Sequence, residues 1–169
     1  MPNTTSAGIL LFRLDPDLQV LIAHMGGPFW ASKDAGAWSI PKGEFRQAQS
    51  PGEPGEEGAL DAARREFREE LGIDPPEPPY AELGTFAYSS GKRVTVFVAD
   101  GAGLSLDGLE FGEFELEWPP RSGRTARFPE VDRVEWTEPD AARERLVKGQ
   151  RPAIDALEKH LADAASRPS

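Results

Sequence analysis

The segment 57–73, EGALDAARREFREELGI, decides the reading of this chain. Leu60, Ala63, Phe67 and Leu71 recur at spacings of three and four, which predicts one apolar face of a helix. Gly72 supplies the stop signal, and Pro75-Pro76 prevents the helix from resuming. Glu66, Glu69 and Glu70 stand at i, i+3 and i+4, so three carboxylates project from neighbouring points of another face. Like charges at this spacing cost an isolated helix roughly 0.2–0.5 kcal/mol per pair. A hard divalent cation reverses that sign, because Mg²⁺ and Mn²⁺ prefer carboxylate and water oxygens. On the triad alone the commoner outcome is a solvated acidic face, with Arg64, Arg65 and Arg68 in exposed pairs of little worth.

Outward from this segment, the N-terminal side reads as strands and loops. Ala7–Phe12 and Val20–Ala23 are short apolar runs flanking the turn Asp15-Pro16-Asp17, which predicts two strands. Gly26-Gly27-Pro28 breaks the pattern, and 29–43 reads as a long loop with two exposed tryptophans, Trp30 and Trp38. Residues 46–58 combine Gly, Pro, Ser, Gln and Glu without periodicity, as in a mobile surface loop. On the C-terminal side, Leu83–Tyr88 and Val94–Ala99 read as strands around Ser89-Ser90-Gly91-Lys92, and Val131–Trp136 as a last strand. Asp140–Val147 and Ala153–Ala164 read as helices. Strands and helices mix without regular alternation, which favours an α+β fold or an α/β sandwich over a doubly wound sheet. The chain reads as a single domain over 1–165, with 166–169 a frayed tail.

The wider context of the helix resembles the Nudix box, G-x5-E-x7-R-E-U-x-E-E-x-G-U with U apolar. Glu57, seven residues, Arg65-Glu66, Phe67, Arg68, Glu69-Glu70, Leu71 and Gly72-Ile73 match every defined position from the first glutamate onward. The resemblance extends to Ser6-Ala7-Gly8, to Gly36-Ala37-Trp38-Ser39-Ile40-Pro41-Lys42-Gly43, to Trp118-Pro119-Pro120-Arg121-Ser122-Gly123 and to Phe128-Pro129-Glu130-Val131-Asp132. The spacing departs from the family in one place, because thirteen residues rather than five separate Gly43 from Glu57. Gly43 is read as the family glycine with an insertion at 47–54; the alternative is that Gly52 or Gly55 takes its place.

The resemblance implies an α/β/α sandwich with a mixed sheet and a loop–helix catalytic motif. It implies Mg²⁺, with Mn²⁺ as a substitute, held by Glu66, Glu69, Glu70 and the Gly43 carbonyl, with Glu57 and Arg65 bracing the motif. It also implies hydrolysis of a pyrophosphate bond in a nucleoside triphosphate, dinucleoside polyphosphate or nucleotide sugar. A catalytically silent nucleotide-binding module of the same fold is the alternative. The general base is a box glutamate such as Glu66 or Glu69, or a carboxylate from a later loop. Glu113, Glu115 and Glu117 are the later candidates, Glu117 the preferred one. The basic run Arg121, Arg124 and Arg127 suits bidentate phosphate contact or pairing with the upstream glutamates, and Lys33 and Lys42 also suit phosphate oxygens. Trp30, Trp38, Phe86 and Tyr88 offer stacking surfaces, although such aromatics more often anchor a core or loop. His24 and His160 show no partner spacing and receive no role.

Composition bounds the partners. Twenty-nine acidic against 19 basic residues give a net charge of −10, which argues against a nucleic-acid polymer or an anionic membrane as partner. Without cysteine there is neither a disulfide framework nor a thiol nucleophile. The first residues carry no basic n-region and no stretch approaches a membrane span, so a cytoplasmic monomer or homodimer acting on a small nucleotide is the expectation.

Overall fold

The computed structural model describes residues 5–46 and 57–166. The mobile loop expected at 46–58, with its insertion, falls almost entirely outside them. Strands β1 (Thr5–Leu14) and β2 (Leu18–Met25) form a hairpin that pairs only from Phe12↔Val20 to Leu14↔Leu18. Beyond that point they diverge, and two short strands fill the gap. β3 (Trp38–Ser39) pairs with β2 at Ala23 and His24, and β4 (Lys42–Glu44) pairs with β1 from Ser6 to Gly8. The segment read as one long loop is therefore partly sheet.

Following β4, α1 spans Ala59–Leu71, then come β5 (Ala81–Ala87) and β6 (Arg93–Asp100). β6 runs parallel to β1 over eight registers, and β5 closes that edge antiparallel. β7 (Glu113–Glu117) and β8 (Thr125–Pro129) form a separate two-stranded ribbon. β9 (Val131–Thr137) lies antiparallel on the free edge of β2. α2 (Pro139–Arg145), a 3₁₀ turn at Lys148–Gln150 and α3 (Arg151–Ser166) complete the chain.

The mixed sheet is covered on both faces, as expected for an α/β/α sandwich. Ala7, Ile9, Leu11, Phe97 and Ala99 meet Ala62, Ala63, Phe67 and Leu71 of α1. Leu10, Val94, Val96 and Val98 point the other way, toward Ala142 and Leu146 of the α2 region and Ile154 and Leu157 of α3. This is the period-two alternation of strands. Phe67 and Leu71 are fully buried. Each contributes about 1.5–3 kcal/mol, which outweighs the repulsion of the glutamates on the opposite face. Gly72 ends α1 with φ 73° and donates its N–H to the Arg68 carbonyl.

Trp38 is not exposed as its loop composition suggested: its accessibility is 0%. Its indole N–H donates to Asp34 Oδ1 at 2.9 Å, His24 meets it edge-on at 5.1 Å, and the Arg133 and Arg145 guanidinium groups each lie 5.1 Å from its ring. Among the described residues no helix is long and apolar enough to cross a membrane.

Candidate active site

Burial of the apolar face of α1 on the sheet sets the direction of its carboxylates. Those of Glu66 and Glu70 turn toward β4, the strand wedged beside β1. An added Cβ on Gly43 would displace the Glu66 carboxylate, so glycine here lets the two approach closely. Glu70 Oε2 accepts a hydrogen bond from the Lys42 backbone N–H at 3.3 Å. Arg65 makes a two-pronged pair with Glu57, Nε to Oε2 at 2.8 Å and Nη2 to Oε1 at 2.9 Å. Its Nη1 also donates to Glu66 Oε1 at 2.8 Å and Glu69 Oε2 at 3.2 Å. Hydrogen bonding from Arg65 lowers the Glu57 pKa, and Glu57 in turn raises that of Arg65.

The remaining carboxylates are placed less comfortably. Burial raises the Glu66 pKa despite Arg65. Burial pushes Glu70 up to about 8; Lys42 opposes the rise, and Glu130 and Glu66 add to it. Glu130, in the turn between β8 and β9, is itself raised by burial and by the charges of Glu66 and Glu69. The sequence reading gave Glu130 no role, although its Phe-Pro-Glu-Val-Asp setting was part of the family resemblance.

A cavity of about 260 Å³ opens beside this cluster. Glu70, Glu130 and Lys42 line it together with Met25, Trp30 and Phe114. A larger cavity of about 480 Å³ at Tyr88, Ser90 and Lys148 is lined by no acidic side chain. The structure thus brings Lys42, Gly43, Glu57, Arg65, Glu66, Glu69, Glu70 and Trp30 to one region. It does not bring Glu117 there. Glu113, Glu115 and Glu117 point into solvent along β7, and the alternate residues Phe114 and Leu116 are the partly buried ones. Arg121 and Arg124 are exposed in the β7–β8 connection and do not line the cavity. Arg127 lies 3.6 Å from Glu115 across the ribbon. Phe86 and Tyr88 pack against the α2–α3 side of the sheet.

Two further residues build the site without a sequence signal. Gln150 is fully buried, accepts from the Ile40 N–H at 2.7 Å, and donates to Ser39 Oγ at 3.0 Å and Tyr88 Oη at 2.8 Å. It fixes the strand that leads into Lys42 and Gly43. His24, also fully buried, has both ring nitrogens partnered.

The donor set fits a hard divalent cation. It consists of carboxylates, and the Gly43 backbone lies against the Glu66 carboxylate. The partly buried Glu70, raised first by its burial and further by Glu130 and Glu66, is the oxygen donor whose charge a cation would compensate. Among the described residues no three acidic or histidine side chains are already closed into a cation cage; Glu66 and Glu69 are turned to Arg65 instead.

Comparison with known proteins agrees with this fold. The C. elegans Ap4A hydrolase in a binary complex superposes with a TM-score of 0.58 at 20% identity, covering 96% of this chain and 99% of that one. The NUDIX domain of Shewanella oneidensis NrtR, complexed with ADP ribose, gives 0.60 at 15% identity, covering 95% and 90%. The MutT protein of Methanosarcina mazei Go1 gives 0.57 at 18%, covering 95% and 96%. At such identities these likenesses show the fold. An uncharacterized 17.7 kDa protein in the e-segB intergenic region of Enterobacteria phage T4 is 39% identical over 96 residues, which is 56% of this chain and 58% of that protein. A family model described as NUDIX domain matches residues 2–157, and by that match the chain belongs to the NUDIX family.

Proposed function

We propose that the protein is a Mg²⁺-dependent pyrophosphohydrolase acting on a small nucleoside diphosphate derivative. The observation that carries this reading is the meeting, in one cavity, of the α1 carboxylate side with an aromatic lining: Glu70, Lys42 and Glu130 beside Trp30 and Phe114. A phosphoanhydride resists attack because its oxygens are negative; Mg²⁺, or Mn²⁺ in its place, supplies charge neutralisation and acidifies water when bound. Glu66, Glu69, Glu70 and the Gly43 carbonyl are the groups that would hold it. Glu57 and Arg65 keep the loop and helix in register. Lys42 offers an ammonium group to a phosphate oxygen. Glu130 lines this cavity and Glu117 does not, which supports Glu130 as the group that takes the proton of the attacking water; its raised pKa suits a proton acceptor. Trp30 and Phe114 provide faces for a base. Net negative charge does not oppose an anionic substrate where bound cations supply the local positive charge.

A silent binding module is the weaker reading, since Glu66, Glu69 and Glu70 are all present. The experiment is a screen of ADP-ribose, diadenosine tetraphosphate and the nucleoside triphosphates, with the nucleotide products separated by chromatography as readout, in Mg²⁺ and in EDTA. The reading expects Mg²⁺-dependent hydrolysis of at least one compound. Binding of a nucleotide with no hydrolysis in any condition would contradict it in favour of the module.

A further inference from the structure

His24 takes no part in the chemistry proposed above, yet it is fully buried and tied at both ring nitrogens. Its Nε2–H donates to the Lys33 carbonyl at 2.7 Å, and its Nδ1 lies 2.8 Å from Asp132 Oδ1. These partners belong to two segments that each contribute to the cavity lining, Trp30 from one and Glu130 and Val131 from the other. In the first segment, the Lys33 N–H donates to the Trp30 carbonyl at 2.9 Å and the Lys33 ammonium lies 5.4 Å from the Trp30 ring centroid, so the bond to Lys33 fixes Trp30. In the other segment, the pairing of β2 with β9 shifts register between His24 and Met25: Arg133 faces His24 but Val131 faces Met25, and Asp132 is the extra residue. A bulge of this kind re-aims the side chains around it. Here it directs the Asp132 carboxylate to His24 and leaves Glu130 and Val131 lining the cavity. The Gly26 N–H, donating to the Glu130 carbonyl at 3.0 Å, continues the same attachment.

We infer that His24 is a positioning residue: it staples the Trp30 loop to the Asp132 bulge and thereby sets the separation between the base-stacking face and Glu130. The kinetic part of this inference rests on the proposed nucleotide chemistry, whereas its structural part does not. A buried imidazole suits the task because it offers two polar atoms on opposite sides of one rigid ring. A glutamine at the same place keeps one amide for Lys33 or Asp132 but cannot hold both in that fixed geometry.

The test compares the parent with His24→Gln and with Asp132→Ala, the second chosen because the Asp132 side chain is partly exposed and its loss leaves the core intact. In the ligand-free proteins, amide hydrogen exchange should speed up about tenfold at both 27–33 and 129–132 in His24→Gln, the scale of one lost buried hydrogen bond. In Asp132→Ala only 129–132 should respond, and the amides of α1 should be unchanged in both variants. On whichever nucleotide the parent hydrolyses, KM should rise about tenfold in His24→Gln and stay within about threefold in Asp132→Ala, because only the first frees Trp30, while kcat falls in both. Exchange that accelerates everywhere alike, or at one segment only in His24→Gln, overturns the staple, as does an unchanged KM in that variant. Should the parent hydrolyse none of the nucleotides, the proposed function fails, and the exchange comparison alone still decides the staple.

Discussion

On the α1 side of the cavity, Glu66, Glu69 and Glu70 come from a single turn and a half of helix, with Gly43 and Lys42 brought up by one adjacent strand. On the other side, Met25, Trp30, Phe114 and Glu130 come from separate segments that only the folded sheet assembles. The first side is fixed by helical periodicity and one buried apolar face. The second depends on a divergent hairpin, a bulge in β9 and a buried histidine. Chemistry that needs several like groups at fixed spacing is economically placed on a helix. A shaped recognition surface has no such local rule.

Substitutions separate the two sides. The largest effect is expected at Glu69→Gln: kcat should fall by about 100-fold or more with the fold retained, since a neutral amide keeps the shape but not the charge of a cation ligand. Near-full activity at saturating Mg²⁺ would remove Glu69 from the ligand set. Trp30→Ala should act on the opposite term, raising KM about tenfold with kcat nearly constant, through loss of uniform binding. Steady-state kinetics on the accepted nucleotide checks this, and a kcat defect with normal KM would deny Trp30 a stacking role.

Arg65→Ala should be smaller still in stability. Arg65 and Glu57 are both partly exposed, at 37% and 26%, so the pair is worth about 1 kcal/mol and its loss lowers the melting temperature by about 2–4 °C. The Glu57 pKa is depressed in the folded state, so the pair's contribution is present above the ordinary carboxylate value and is lost as pH falls through the lowered one. The gap between parent and variant should therefore close in acid; a gap independent of pH would mean that Arg65 acts through packing instead. The smallest effect is expected for deletion of 47–54, which restores five residues between Gly43 and Glu57. Loop length is cheap, about 0.6 kcal/mol per doubling, so the shortened protein should melt no lower and keep its hydrolysis. A folded but inactive deletion variant would move the glycine's role to Gly52 or Gly55.

The same contrast explains what could be read in advance. Ala7–Phe12, Val20–Ala23 and Val94–Ala99 were legible as strands because continuous apolar runs mark strands buried on both faces. The α1 glutamates were legible because a helix converts spacing into direction. β3 and β4 were not: they are two and three residues long and exist only because β1 and β2 part. Trp38 was misread because polar and glycine-rich neighbours suggested a solvated loop, whereas His24, Arg133 and Arg145 enclose it from distant strands and α2. The alternation Glu113, Glu115, Glu117 was visible, but alternation alone does not say which side of a ribbon faces a cavity. Glu130 stands singly between two strands, with no periodicity to mark it, and its direction follows from the bulge at Asp132.

The most direct measurement is a Mg²⁺ titration of hydrolysis, run in parallel on the parent and on Glu70→Gln with the preferred nucleotide from the substrate screen. The account predicts no turnover by the parent in EDTA, saturable activation as Mg²⁺ rises, and for the variant a response shifted to higher Mg²⁺ with a maximal rate at least about 100-fold lower. Parent activity that persists in EDTA, or a variant whose activation curve overlays that of the parent, would contradict the assignment of the α1 carboxylates as the cation site.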